Sequence, residues 1–223
     1  MNPAITFNEM RKQLGFQIKA SKGKVILVGI LFCPPRTKIA KEEILPALLD
    51  FHYSSADKTQ FYLPGYYQVA EPSSSSIGAL SHPEYPEFEY DSKKFYDFVK
   101  IMEEKCKWKY SGGTDLMIVN ARLNSSSDEG YLDFASAIPL NLESVKQKAN
   151  YLEIGMFFET IFNFSEEYIG KNPTSALSDE FGKSALRGAF KELAYRSIPK
   201  DTKGKVQEGL LFASSDLRKS KST

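Results

Sequence analysis

The stretch Val25-Ile-Leu-Val-Gly-Ile-Leu-Phe32, followed at once by Cys33-Pro34-Pro35-Arg36, decides the fold of this chain. Its eight uncharged residues, rich in Val, Ile and Leu, predict a strand that is buried on both faces. The two prolines end that strand, and the apolar spacing from Ile39 to His52 predicts a helix that Pro46 starts or kinks. A buried strand that delivers a thiol and a guanidinium to the start of a helix is a common location for chemistry in α/β proteins.

Outward from this strand, the apolar residues recur with the spacings of both strands and helices. Leu14–Ala20 alternates loosely between apolar and polar residues and predicts one arm of a hairpin that leads into the buried strand. The same spacing rules predict a strand at 60–65, a helix beginning at Asp91 or Ser92, antiparallel strands at 115–123 and 131–140, and a long helix at 142–168. We therefore predict an α/β or α+β fold with a mixed central sheet flanked by helices.

The chain of 223 residues is long enough for one domain and an appendage. We place the α/β core domain at 1–170 and a C-terminal appendage at 171–223, with a helix from Ser178 or Asp179, a short strand at 209–213 and a flexible basic tail. Within the core, residues 70–87 are rich in proline and serine and predict a long exposed loop. Loops of this kind often carry function.

Composition excludes several classes of function. With 29 basic and 28 acidic residues the net charge is +1, which gives no overall attraction to a polyanion. The longest apolar run, Val25–Cys33, is far shorter than a membrane-spanning helix, and the N-terminal residues lack the pattern of a secretory signal. Cys33 and Cys106 are too far apart in sequence for the paired ligands of a zinc site, and two cysteines do not make a disulfide scaffold. These features predict a cytoplasmic protein that binds no membrane.

The predicted element order from Val25 to Tyr168 resembles that of the thioredoxin-like fold: strand, helix, strand, helix, strand, strand, helix. Cys33 stands where that family carries its first active-site cysteine. The resemblance departs from the family at two points, since Arg36 replaces the second cysteine of the Cys-x-x-Cys motif and Ser111–Thr114 contains no proline where the family has a cis-proline before its third strand. The resemblance therefore implies the fold without dithiol oxidoreductase chemistry.

Three other groups of residues are better explained by ordinary structure than by catalysis or ligand binding. Ser111-Gly-Gly-Thr-Asp115 is similar to a phosphate-binding loop, but a helix precedes it and a strand follows, so we interpret it as a turn. His52 has no fixed acid beside it to make a catalytic pair with Cys33, and the chain has too few histidines and cysteines for a transition-metal site, so we predict no cofactor. Nucleic-acid binding is disfavoured because acidic residues interleave the candidate lysines, which are Lys93, Lys94, Lys105, Lys107 and Lys109.

Aromatic residues give the strongest functional indication. Six of them cluster around the proline-rich loop and the strand ends, and we predict that they form a contact surface: Tyr66, Tyr67, Tyr85, Phe88, Tyr90 and Trp108. The leading hypothesis is a non-enzymatic interaction or sensing subunit of a larger intracellular, bacterial assembly, with another protein as its partner. The alternative is a monothiol redox or thiol-transfer enzyme that uses Cys33 with Arg36, because a cation and a helix N-terminus both favour thiolate.

Overall fold

The computed structural model of the chain describes residues 1–22, 24–55, 59–68, 88–124, 126–148, 153–168, 172–180 and 213–219. Five strands form the main sheet, and they are β1 (Asn2–Ala4), β2 (Ile26–Phe32), β3 (Gln60–Pro64), β6 (Asp115–Leu123) and β7 (Gly130–Asn141). A separate two-stranded ladder consists of β4 (Tyr66–Gln68) and β5 (Phe88–Tyr90).

The main sheet is mixed and has the strand order β1-β3-β2-β6-β7. Strands β1, β3 and β2 run parallel to one another, whereas β6 is antiparallel to β2 and β7 is antiparallel to β6. The strand predicted from the Val25 run is therefore the central strand, which explains why its side chains are apolar on both faces.

Helices flank this sheet, and the predicted fold class is confirmed. They are α1 (Phe7–Ala20), a π-helical turn (Ala40–Ile44), α2 (Leu48–Ser55), α3 (Ser92–Lys105), α4 (Leu142–Lys148), α5 (Ile154–Glu167) and a helix at 173–180. Two apolar clusters cover the two faces of the sheet, because successive strand residues point to opposite sides. Leu27 and Leu31 of β2 belong to the cluster under α2 and α5, whereas Val28 and Ile30 belong to the cluster under α1 and α3.

The prediction of a hairpin arm at Leu14–Ala20 is wrong, because these residues form the second half of α1. Phe7, Met10, Leu14 and Ile18 are buried at helical spacing, and the Thr6 side chain caps the helix by accepting a hydrogen bond from the Glu9 amide at 3.2 Å. The apparent alternation came from Phe16, whose side chain is 73% exposed.

Two predicted helices are each divided in the structure. The helix after the prolines consists of the π-helical turn and α2, with Pro46, which lacks an amide donor, between them. The helix predicted at 142–168 consists of α4 and α5, and residues 149–152 between them lie outside the described part of the chain.

The described parts of the predicted appendage contact the sheet. The Asn120 side chain on β6 donates to Asn172 Oδ1 at 2.7 Å and accepts from the Thr174 amide at 3.0 Å, at the start of helix 173–180. Ser215 and Ala137 of β7 exchange backbone hydrogen bonds of 2.7 and 3.0 Å. The predicted cap residues, Ser178 and Asp179, lie inside helix 173–180, and residues 181–212 and 220–223, which hold the rest of the predicted helix and most of the predicted strand, lie outside the description. The domain division at residues 170 and 171 stays a prediction.

Candidate functional site

Two segments that lie far apart in the sequence meet at the carboxyl end of β2. Phe32, the last residue of β2, is paired with Asp115, the first residue of β6. Immediately beyond this pair, the Thr37 and Thr114 hydroxyl oxygens lie 2.7 Å apart. The Cys-Pro-Pro-Arg segment and the Ser-Gly-Gly-Thr loop are therefore neighbours at one edge of the sheet.

The thiol of Cys33 faces the interior of the protein. Cys33 is 0% exposed and belongs to the apolar cluster under α2 and α5. Burial, and to a smaller extent the negative charge of Glu143, raises the pKa of this thiol far above its ordinary value. Burial therefore favours the protonated thiol over the thiolate that thiol chemistry requires, and the monothiol hypothesis stays a prediction.

Arg36, three residues further along, has the opposite environment. Its side chain is exposed, and its guanidinium carbon lies 5.6 Å from the ring centroid of Tyr96 on α3, in a cation–π arrangement. Among the residues that the structure describes, no carboxylate forms an ion pair with Arg36. The cation is thus available at the surface.

Two further tyrosines surround Arg36. Burial raises the pKa of Tyr90 and of Tyr110, and the positive charge of Arg36 opposes both increases, which places both phenols within its electrostatic reach. Both hydroxyls are therefore protonated at neutral pH and can donate hydrogen bonds. The Tyr110 hydroxyl donates to the Gly113 carbonyl at 2.7 Å, whereas the Tyr90 hydroxyl has no hydrogen-bond partner within the described ranges.

The six predicted contact residues do not share one environment. Trp108 is buried against Phe32, with ring centroids 4.6 Å apart, and Tyr66 is buried and donates to the Cys33 carbonyl at 2.7 Å. The half-buried members are Tyr67, Phe88 and Tyr90, and Tyr85 lies outside the described residues. The exposed aromatic next to Arg36 is Tyr96, which the sequence prediction missed, although its place on the polar face of α3 was a usable signal.

The β4–β5 ladder connects the predicted contact loop to this site. Tyr66 of β4 is paired with Tyr90 of β5, and the Tyr67 hydroxyl donates to Glu89 Oε2 at 2.5 Å. Residues 69–87, which lie outside the described part of the chain, connect these two strands. Gln68 and Phe88, the described residues on either side of this segment, are paired in the same ladder as Tyr90.

Polar groups of the Ser111–Asp115 loop are satisfied within the protein. The buried Asp115 carboxylate accepts hydrogen bonds from the Ser111 amide at 2.8 Å and from the Asn141 side chain at 3.0 Å. Both carboxylate oxygens of Glu143 accept from the Thr114 amide at 2.9–3.0 Å. The loop lies between α3 and β6. It functions as a turn, since its backbone amides donate to the carboxylates of Asp115 and of Glu143 on α4.

The described residues contain no candidate metal site and no candidate membrane span. Among them, no cluster of three His, Cys, Asp or Glu side chains has a geometry that could hold a metal ion. In the same ranges, no helix combines the length and the apolar character that a bilayer crossing requires. The His52 ring lies on α2, where its Nδ1 contacts the Met1 carbonyl oxygen at 3.2 Å.

Comparison of the chain with protein-family models, with curated proteins and with solved structures finds no significant match.

Proposed function

We propose that this protein is a non-enzymatic interaction subunit that contacts another protein through one surface at the carboxyl end of β2. We define this Arg36 surface as Arg36, Tyr90, Tyr96 and Tyr110, together with the β4–β5 ladder. The observation that carries the proposal is an exposed guanidinium that lies over a half-exposed tyrosine ring and pairs with no carboxylate among the residues that the structure describes.

The composition of this surface supports binding to a protein. Arginine and tyrosine are the residue types that contribute most of the energy at protein–protein contacts, together with tryptophan. A tyrosine beneath the guanidinium restrains the arginine before binding, which reduces the entropy lost when a partner docks. Gln68 and Phe88, the described residues that flank segment 69–87, are paired in the β4–β5 ladder, which belongs to this surface.

We further infer a thioredoxin-like fold for the core. From β2 to α5 the main-sheet strands and the α-helices follow the order strand, helix, strand, helix, strand, strand, helix, helix, with the β4–β5 ladder inserted after the second strand and two helices, α4 and α5, where one was predicted. In this interpretation Arg36 and Thr114 occupy positions where the family's redox members carry a cysteine and a proline. Without the second cysteine and the cis-proline, we propose binding rather than dithiol chemistry for this fold. We assign the protein to a cytoplasmic, bacterial assembly, which agrees with two free, buried cysteines.

The proposal can be tested by photo-crosslinking. A benzophenone amino acid is incorporated at Tyr96 or, as the matched control, at Tyr131, which has the same exposure of 43% and also lies beside an arginine. Extracts of the source organism are irradiated, and adducts are identified by mass spectrometry. We expect an adduct from position 96 that is absent from position 131 and disappears when Arg36→Ala is added. Equal adducts from both positions, or no adduct from position 96, would refute the proposal.

A further inference from the structure

Among the described residues, two arginines lie over exposed tyrosine rings, and their surroundings differ in one respect. Arg122 lies 5.2 Å from the Tyr131 ring centroid, and its Nη2 is 3.6 Å from the Asp133 carboxylate. Arg36 lies 5.6 Å from the Tyr96 ring centroid, and no carboxylate of the described ranges pairs with it. Within the described ranges, the arrangement therefore includes a carboxylate at Arg122 and none at Arg36.

We propose that the Arg36 guanidinium pairs with a carboxylate of the partner protein, which accepts a second hydrogen bond from the Tyr90 hydroxyl. This inference rests on the proposed function and adds the chemistry that the partner must provide. A guanidinium presents parallel N–H groups that match the two oxygens of a carboxylate. Tyr90 is a suitable second donor because it lies within electrostatic reach of Arg36 and its hydroxyl makes no hydrogen bond with the described residues.

The surrounding charges favour a carboxylate over a phosphate group. Asp115 and Glu143 lie near enough to Tyr110 for their negative charges to act on its hydroxyl, and Asp91 follows Tyr90 directly. A phosphate monoester carries up to two negative charges at neutral pH, so these three acids repel it more strongly than a carboxylate. Proteins that bind phosphorylated partners use clusters of arginines, whereas this surface has one. Lys38, the nearest cation in sequence, lies 3.9 Å from Glu42.

Small probes test this inference without an identified partner. Sodium benzoate, neutral benzamide and phenyl phosphate are titrated separately into the full-length ¹⁵N-labelled protein, and the Arg36 and Arg122 Nε–H resonances are followed by NMR. We expect a saturable shift at Arg36 with benzoate, none with benzamide, and a weaker response to phenyl phosphate. Benzoate binding to Arg36→Lys is followed through the backbone amide of residue 36, as in the wild type, and the affinity should fall by about tenfold because the paired N–H groups are lost. Arg122→Lys is the matched control and should leave benzoate binding unchanged.

The outcomes separate this inference from the proposed function. Equal responses to benzoate and benzamide, tighter binding of phenyl phosphate, or unchanged benzoate binding in Arg36→Lys would overturn the carboxylate assignment. In any of those cases an Arg36-dependent crosslink at position 96 would still support the interaction surface. Loss of that crosslink removes the proposed function, whatever the titration shows. The amide spectrum of each variant reports whether it is folded.

Discussion

Tyr66→Phe removes a single buried hydroxyl next to the candidate site. That hydroxyl donates to the Cys33 carbonyl at 2.7 Å, and Tyr66 is 2% exposed, so water does not replace the lost donor. Leaving a buried acceptor without its partner costs about 1–3 kcal/mol. With a urea dependence of about 3 kcal/mol per molar for a chain of this size, the unfolding midpoint should fall by about 0.3–1 M.

The assay is urea denaturation followed by the fluorescence of Trp108, the single tryptophan, which is buried in the cluster under α1 and α3. Tyr96→Phe is the control, because a change on an exposed ring should alter the free energy of unfolding by less than about 0.5 kcal/mol. The reasoning fails if both variants are as stable as the wild type, or if the Tyr96 variant is the less stable one.

Three further predictions concern the core and the sheet. Cys33 should resist iodoacetamide at pH 8, because burial raises its pKa and keeps the thiol protonated; rapid alkylation of the native protein would contradict this, and alkylation in urea is the control. Asn120→Ala leaves the buried Thr174 amide without an acceptor and should lower the free energy of unfolding by about 1–3 kcal/mol; an unchanged urea midpoint would show that helix 173–180 is not held by this bond. Gly29→Ala adds a Cβ 2.4 Å from the Phe61 ring and should cost about 1–3 kcal/mol, seen as a lower melting temperature; equal or higher stability would refute the close packing.

Four of the five strands of the central sheet could be predicted from the sequence because they have clear apolar patterns, whereas β1, which is three residues long, was missed. The run from Ile26 to Phe32 is apolar at every position, and Asp91 begins α3 with a recognisable cap, accepting a hydrogen bond from the Lys94 amide at 3.0 Å. Helix α1 was misassigned because Leu14, Phe16 and Ile18 alternate, and the sequence does not show that Phe16 faces solvent. The spacing of apolar residues predicts a helix or strand correctly only when those residues face the interior.

The candidate site could be predicted only in part. The sequence identified Arg36 and a group of aromatic residues, but it could not separate the buried Tyr66 and Trp108 from the half-buried Tyr90. Arg36 and Tyr96 are sixty positions apart, and they meet only because β2 and α3 pack together through Phe32, Phe95 and Phe98. Contacts between distant segments depend on the packing of the sheet and have no local signal.

The central claim is that Arg36 makes the decisive contact with a partner protein. Its most direct test is the dissociation constant of the crosslinked partner, measured by calorimetry with the wild type, Arg36→Ala and Arg122→Ala. We predict binding at least about tenfold weaker for Arg36→Ala, which corresponds to about 1.4 kcal/mol, and an unchanged constant for Arg122→Ala. Equal affinities for the wild type and Arg36→Ala would contradict the account.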